Sequence, residues 1–335
     1  MLALVTGASG FVGSHLVDAL LADGWRVRRL ARPASPPAAD PRVATRIETR
    51  VAPLDDAAAI LRSGALADVD VVFHVAGVTR AHTAARFDAG NVAPTAALLD
   101  ALATARGGTL PRGVLVSSQA AAGPAIARDR PRTEDDAPAP VGAYGASKRA
   151  AERVAAAHAA GAAWTIVRPC AVYGPRDRDF LPVFRHAARG VALYPGTRDA
   201  WLSLVHAHDL AQALLRAGTV PAAAGRTYFV AGDEAVSWPA VYAAAARAAG
   251  TRLRVERDLP RWALALGGAA GDAWSALRGR DTLAGREKLR LAAPRWWLCS
   301  AARARAELGW RAALPLDEGM RATRAWYRAA GWLRN

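Results

Sequence analysis

The chain has 335 residues, with 44 Lys or Arg against 29 Asp or Glu and a formal charge of +15. A hydrophobic content of 52% with 22% charged residues excludes a disordered or fibrous chain and supports one large or two modest domains. Only two of the 44 cations are lysines, Lys148 and Lys288; surfaces that bind nucleic acid use lysine freely beside arginine, so the charge names no nucleic-acid partner.

Met1 to Thr6 is apolar but lacks a basic leader or a small-residue cleavage pattern, so it is read as a first strand. No uncharged apolar stretch reaches the roughly 18 residues of a membrane span, and the expected location is cytoplasmic. Short β-branched runs at Leu2–Thr6, Arg26–Ala31, Val69–Val75, Val114–Ser117 and Trp164–Arg168 alternate with helical patterns near Val12–Ala22, Asp55–Leu61, Thr95–Ala105 and Ala143–Ala159. That alternation predicts an α/β fold, a doubly wound parallel sheet of Rossmann type. After Arg168 the pattern turns loop-rich, with seven of the eleven tryptophans at or beyond Trp262. The expected division is therefore a dinucleotide-binding domain over 1–168 and a smaller α/β substrate region over 169–335, with part of 200–231, around Gly225 to Ala231, returning to complete the first sheet. Pro33 to Pro41 and Arg128 to Pro140 read as loops.

Gly7-Ala-Ser9-Gly10-Phe11-Val12-Gly13 sits between the first strand and the first helix. Glycines there permit a tight turn and let backbone N–H groups approach a pyrophosphate at a helix N-terminus. The second strand ends at Arg32, where an acidic residue would bind the ribose of NAD; Arg32, with Arg28, Arg29 and Ser35 nearby, suits a 2′-phosphate and favours NADP over NAD.

Tyr144 and Lys148 stand four apart at the start of a helix and so share a face. A nearby cation favours the phenolate, so Lys148 is expected to lower the Tyr144 pKa. Ser118 ends a strand where doubly wound sheets bind ligands. A hydroxyl there can hold a substrate oxygen while Tyr144 exchanges its proton.

With Thr6-Gly-Ala-Ser-Gly-Phe-Val-Gly13, His74-Val-Ala-Gly77, Asn91-Val92, Ser117-Ser118, Tyr144 to Lys148, Arg168-Pro169, Val172-Tyr-Gly-Pro175 and Val205-His-Ala-His-Asp209, the chain resembles the extended short-chain dehydrogenase/reductase family, also called the NAD-dependent epimerase/dehydratase family. The resemblance implies Ser118, Tyr144 and Lys148 as a catalytic triad. It places His74, Ala76, Gly77, Asn91 and Pro169 along the cofactor and gives Lys148 the nicotinamide ribose. Homodimers through the two helices flanking the triad are common in that family, and Ala143 to Ala160 could pack that way. Pro94 replaces a usual glycine and is expected to disturb its helix, and no acidic residue after the third strand matches the family's usual adenine contact.

Sugar-nucleotide members carry an Arg-Asp pair that holds the diphosphate; the aligned positions are Leu202 and Ser203, with Arg176, Arg178 or Arg198 as possible substitutes. Dehydratases need an acid and a base where this chain has Gln119 and Ala120. The expected activity is reversible hydride transfer between a nicotinamide and a secondary alcohol or ketone on a hydrophobic small molecule, steroid-, polyketide- or terpenoid-like; the alternative is a sugar-nucleotide epimerase with tightly held NAD. The apolar segment 259–277, flanked by arginines, fits an ordinary core helix, a wall of the substrate pocket, or peripheral contact with an anionic membrane. His206 and His208 lack a third ligand, Cys170 and Cys299 lack metal spacing and are not expected to form a disulfide, and no metal is expected.

Overall fold

A computed structural model describes residues 1–33, 35, 46–105, 111–158, 164–260, 262, 264–266, 268–269 and 290–333. Most of the Pro33–Pro41 loop and most of the 259–277 segment lie outside these residues. The chain begins β1 (Leu2–Thr6), α1 (Phe11–Ala22), β2 (Arg26–Ala31), β3 (Ile47–Val51), α2 (Ala57–Arg62), β4 (Val71–His74), α3 (Ala84–Ala105), β5 (Arg112–Val116), α4 (Gly142–His158) and β6 (Trp164–Pro169). It continues β7 (Ala171–Tyr173), α5 (Leu181–Ala187), β8 (Val191–Pro195), β9 (Trp201–His206), α6 (Ala207–Thr219), β10 (Thr227–Val230), β11 (Ala235–Ser237), α7 (Trp238–Ala249), β12 (Val255–Leu259), β13 (Trp296–Trp297), α8 (Ala302–Leu308) and α9 (Leu316–Ala329).

Seven parallel strands form the main sheet in the order β10-β6-β5-β4-β1-β2-β3. The expected doubly wound α/β class is the fold observed. Alternation along β1 shows why both faces are covered. Ala3 and Val5 enter one core with α1, α6 and α8, whereas Leu2 and Leu4 enter the opposite core with α2, α3 and α4. The strand order reverses between β1 and β4, which opens a crevice at the carboxyl ends of the strands.

β10 pairs with β6, so residues 227–230 return to the first sheet. A third core, built from α5, α7, α9 and parts of β8 and β9, stands apart from the sheet. Two short sheets support it, β11-β9-β13 with β7 alongside β9, and the pair β12-β8.

Two local expectations are corrected. β3 was not among the expected strands: its residues Ile47-Glu-Thr-Arg-Val51 are mostly exposed at the sheet edge, so no buried alternation marks them. α3 begins eleven residues before the expected start and runs through Pro94. Tertiary packing overrides that proline: Pro94 is buried, and Thr95 Oγ1 donates to the Asn91 carbonyl at 2.7 Å one residue on.

Candidate active site

The turn after β1 fits a dinucleotide. Gly7 adopts a φ of +70°, and a Cβ on Gly13 would lie 2.1 Å from the Gly7 carbonyl oxygen, so neither position accepts a side chain without displacement. α1 starts at Gly10 without a side-chain cap, which leaves its first amides for an anion, with Ser9, Phe11 and Val12 in the same turn. Phe11 packs edge-on against His15, whose Nε2 lies 2.8 Å from the Pro175 carbonyl.

Beneath the turn, one chain of hydrogen bonds joins β1, β4 and α3. The Ala76 N–H donates to Thr6 Oγ1 at 3.1 Å, and Thr6 Oγ1 lies 2.8 Å from His74 Nδ1. His74 Nε2 lies 3.0 Å from Thr95 Oγ1, which spends its proton on the Asn91 carbonyl. The order of donors therefore puts the His74 proton on Nε2 and leaves Nδ1 to accept from Thr6. Burial, aided by the Lys148 charge, pushes the His74 pKa down to about 3, so the ring is neutral.

Asn91 is equally committed. Its Oδ1 accepts from the Val78 N–H at 2.8 Å, while its Nδ2 donates to the Val78 carbonyl at 3.1 Å and to Ser147 Oγ at 2.9 Å. Both side chains act on the Ala76–Val78 loop from below. A Cβ on exposed Gly77 would lie 2.8 Å from Asn91 Oδ1 and 2.9 Å from Lys148 Nζ. The loop thus carries glycine where the backbone presses on both.

Ser118 follows β5, and its hydroxyl accepts from the Ala120 N–H at 3.1 Å. It also shares a hydrogen bond with Tyr144. Burial raises the Tyr144 pKa, the Ser118 bond lowers it, and the Asp179 charge raises it, for a net increase. Phe87 packs against the phenol with ring centroids 5.9 Å apart. The Lys148 ammonium donates to the Val116 carbonyl at 3.0 Å, and burial pulls its pKa to about 8 despite the opposing charge of Glu152. Burial is thus the largest influence on the Tyr144 phenol, ahead of its bond to Ser118.

Sequence reasoning missed the floor of this site. Glu152 is buried and accepts from Ser117 Oγ (2.6 Å), Arg168 Nε and Nη2 (2.8 and 2.7 Å) and Arg149 Nη1 (2.8 Å). Burial would raise its pKa, but these donors outweigh that and hold it low. Its place four residues after Lys148 was the available signal. Pro169 ends β6 nearby.

Arg32 is exposed just past β2, hydrogen-bonded through its backbone to Ser35. The two arginines expected to help it are spent elsewhere. Arg28 pairs with Glu48 and donates to the Ala65 and Ala67 carbonyls, and Arg29 donates to Thr49 Oγ1. Alternation in β2 explains this, since consecutive side chains leave opposite faces of a covered sheet. Cys170 is buried and its thiol is pushed up, first by burial and then by Cys299, so it is no nucleophile. Both cysteines are free. His206 caps α6, accepting from the His208 N–H at 3.2 Å, and among the described residues no group of three ligands could hold a metal.

The diphosphate clamp has no counterpart at its aligned positions. Leu202 is core, and Ser203 Oγ is held by the Cys299 backbone. The three possible substitutes are engaged too: Arg176 with Asp18 (2.7 Å), Arg178 over the Trp332 ring (4.4 Å) and Arg198 with Asp258 (3.3 Å).

Fold and site together define a nicotinamide-dependent enzyme of the doubly wound class. Residues 3–231 match the model of the NAD dependent epimerase/dehydratase family, and the chain belongs to it. It is 34% identical to the ceramide reductase of Caulobacter vibrioides over 329 residues, 98% of this chain and 95% of the relative. It is 35% identical to the 4-hydroxy-2-methyl-3-oxo-4-farnesyl-3,4-dihydroquinoline-1-oxide ketoreductase of Stigmatella aurantiaca over 196 residues, 56% of this chain and 55% of the relative. The solved Thermus thermophilus UDP-glucose 4-epimerase in complex with NAD shares the fold, with a TM-score of 0.77 at 23% identity over 98% of this chain and all of that one.

Proposed function

We propose that this enzyme is an NADP-preferring reductase that interconverts a ketone and a secondary alcohol on a long-chain, lipid-like molecule. The carrying observation is the joining of Ser118, Tyr144 and Lys148 to a second half in which the diphosphate positions Leu202 and Ser203 are closed, while Arg176, Arg178 and Arg198 are each held to a neighbour within the molecule. Both curated relatives are named as reductases, and a ceramide and a farnesylated quinoline oxide both carry long hydrocarbon chains. Gln119 and Ala120 offer no acid–base pair for dehydration.

A nicotinamide bound at this site would supply the hydride for the carbonyl carbon. Ser118 orients the carbonyl oxygen, and Tyr144 gives it the phenolic proton, forming the alcohol. Lys148 sets positive charge next to Gly77 and would hold the ribose of the nicotinamide half. Gly7 to Gly13 would hold the pyrophosphate and Ala76, Gly77 and Pro169 the nicotinamide half, while His74 and Asn91 support the Ala76–Val78 loop. Arg32 takes the 2′-phosphate. Residues 169–335 supply the substrate pocket, and a homodimer forms through α3 and α4.

Purified enzyme with NADPH should reduce long-chain ketones with net cofactor oxidation and leave nucleotide sugars unchanged. Isomerisation of a nucleotide sugar without net cofactor change would assign the epimerase instead. Tyr144→Phe should lower kcat by at least about 100-fold, the usual scale of a lost proton donor, with NADPH affinity nearly intact. Full turnover by that variant would remove Tyr144 from the chemistry.

A further inference from the structure

Three of the six large apolar side chains that stand exposed among the described residues fall within twelve positions: Val255 at 42%, Trp262 at 68% and Leu266 at 65%. Trp262 and Leu266 are both helical and four apart, so they project from one face. The strand that leads to them is segregated by charge. Along β12, Val255 and Arg257 point to one side while Glu256 and Asp258 point to the other. Glu256 there accepts the Tyr194 hydroxyl at 2.6 Å, and Asp258 pairs with Arg198. Both acids are thereby engaged within the molecule, Asp258 by an opposite charge. Arg252, Arg254 and Arg257 are exposed and form no ion pair with a described residue.

We infer that this patch is an interfacial docking surface for an anionic lipid bilayer. An exposed Trp and Leu on one helical face beside unpaired arginines match what such a surface rewards: apolar side chains enter the headgroup boundary while guanidinium groups meet lipid phosphates. No helix among the described residues is long and apolar enough to cross a membrane, so contact of this kind lies on the bilayer. The inference rests on the lipid-substrate reading for its purpose, since a molecule insoluble in water is met in the membrane, but the patch itself is independent of the chemistry.

The test uses the full chain with vesicles of phosphatidylcholine alone or mixed with phosphatidylglycerol. The enzyme should cosediment with the mixed vesicles, lose binding as salt rises, and bind pure phosphatidylcholine at least tenfold more weakly. The double variant Trp262→Ala with Leu266→Ala should lose at least tenfold in vesicle affinity, and Arg252→Gln, Arg254→Gln and Arg257→Gln about fivefold per arginine. All five side chains are exposed, so unchanged thermal unfolding is expected and serves as the folding control. Equal binding to both vesicle compositions, or retained binding by the double variant, would overturn the inference. So would loss of a dimer in the double variant without vesicle binding by the parent, which would assign the patch to a second copy of the chain. Turnover of a short-chain, water-soluble ketone separates the two readings. Turnover without vesicle binding defeats docking alone, whereas vesicle binding without turnover of any ketone defeats the reductase reading alone.

Discussion

His74 shows how far the fold can change a residue's chemistry. Histidine ordinarily titrates near pH 6.5, yet here the ring is sealed between Thr6 and Thr95 with its pKa near 3. A folded pKa below the unfolded one means that the stabilisation is complete above pH 6.5 and is lost as pH falls towards 3. At full burial the loss approaches about 5 kcal/mol. Urea unfolding between pH 7 and pH 4 should show that decline, and His74→Asn should flatten it while lowering stability at pH 7; a parallel decline in the variant would assign the acid sensitivity elsewhere. Arg32 carries a different prediction. Arg32→Ala should weaken NADPH binding at least tenfold, the scale of one charge-assisted phosphate contact, and leave NADH nearly unchanged; equal losses for both cofactors would end the case for NADP. The glycine turn, Tyr144 and Lys148 were legible because their spacing is local. The neutrality of His74 and the packing of Phe87 on Tyr144 were not, since both come from residues on other elements.

At the scale of elements, α4 is the organising piece. Tyr144, Lys148 and Glu152 recur every four residues, so one helical stripe presents a phenol, an ammonium and a carboxylate to the sheet. The carboxylate gathers Ser117 from the end of β5 and Arg168 from β6. Glu152→Gln would leave the Arg168 guanidinium buried without its counter-charge and should cost about 3–5 kcal/mol. It also removes the charge that supports Lys148, so any alkaline limb of activity due to Lys148 should move to lower pH. Thermal unfolding and a pH–rate profile read these separately, and an unmoved profile would reduce Glu152 to a structural role. β1 and α1 were disclosed because their buried positions are largely apolar. That signal did not disclose β3, whose faces are mostly wet, nor the first half of α3, where Gly90, Asn91 and Pro94 contradict helix propensity and packing prevails.

Across the whole molecule, distant stretches of chain share cores. Leu308 and Trp310 pack in the same cluster as Val5 and Leu16, so the core on that face of the sheet is not finished until the last tenth of the chain arrives. The segment 295–300 straps the two parts together: the Trp201 N–H donates to the Arg295 carbonyl, the Ala125 N–H to Trp296, and the Arg132 N–H to Leu298. The buried Arg132 guanidinium adds bonds to the Ala122 and Ala137 carbonyls. Arg132→Ala should therefore destabilise the protein by about 2–4 kcal/mol, through buried carbonyls that lose charged donors. Hydrogen exchange should show 295–300 opening with the Arg128–Pro140 loop; exchange confined to the loop would show that Arg132 does not hold the strap. By itself the sequence determined the fold class, the dinucleotide turn and the Ser, Tyr and Lys on which the chemistry is proposed to rest, because strand alternation, glycine geometry and helical spacing are short-range properties. Only the tertiary structure decided that Arg28 and Arg29 are engaged away from the cofactor side, that Tyr144 packs beside Ser118 and Phe87, and that the diphosphate positions Leu202 and Ser203 are closed. Those outcomes depend on desolvation and on partners brought together from distant parts of the chain, and neither is written in local spacing.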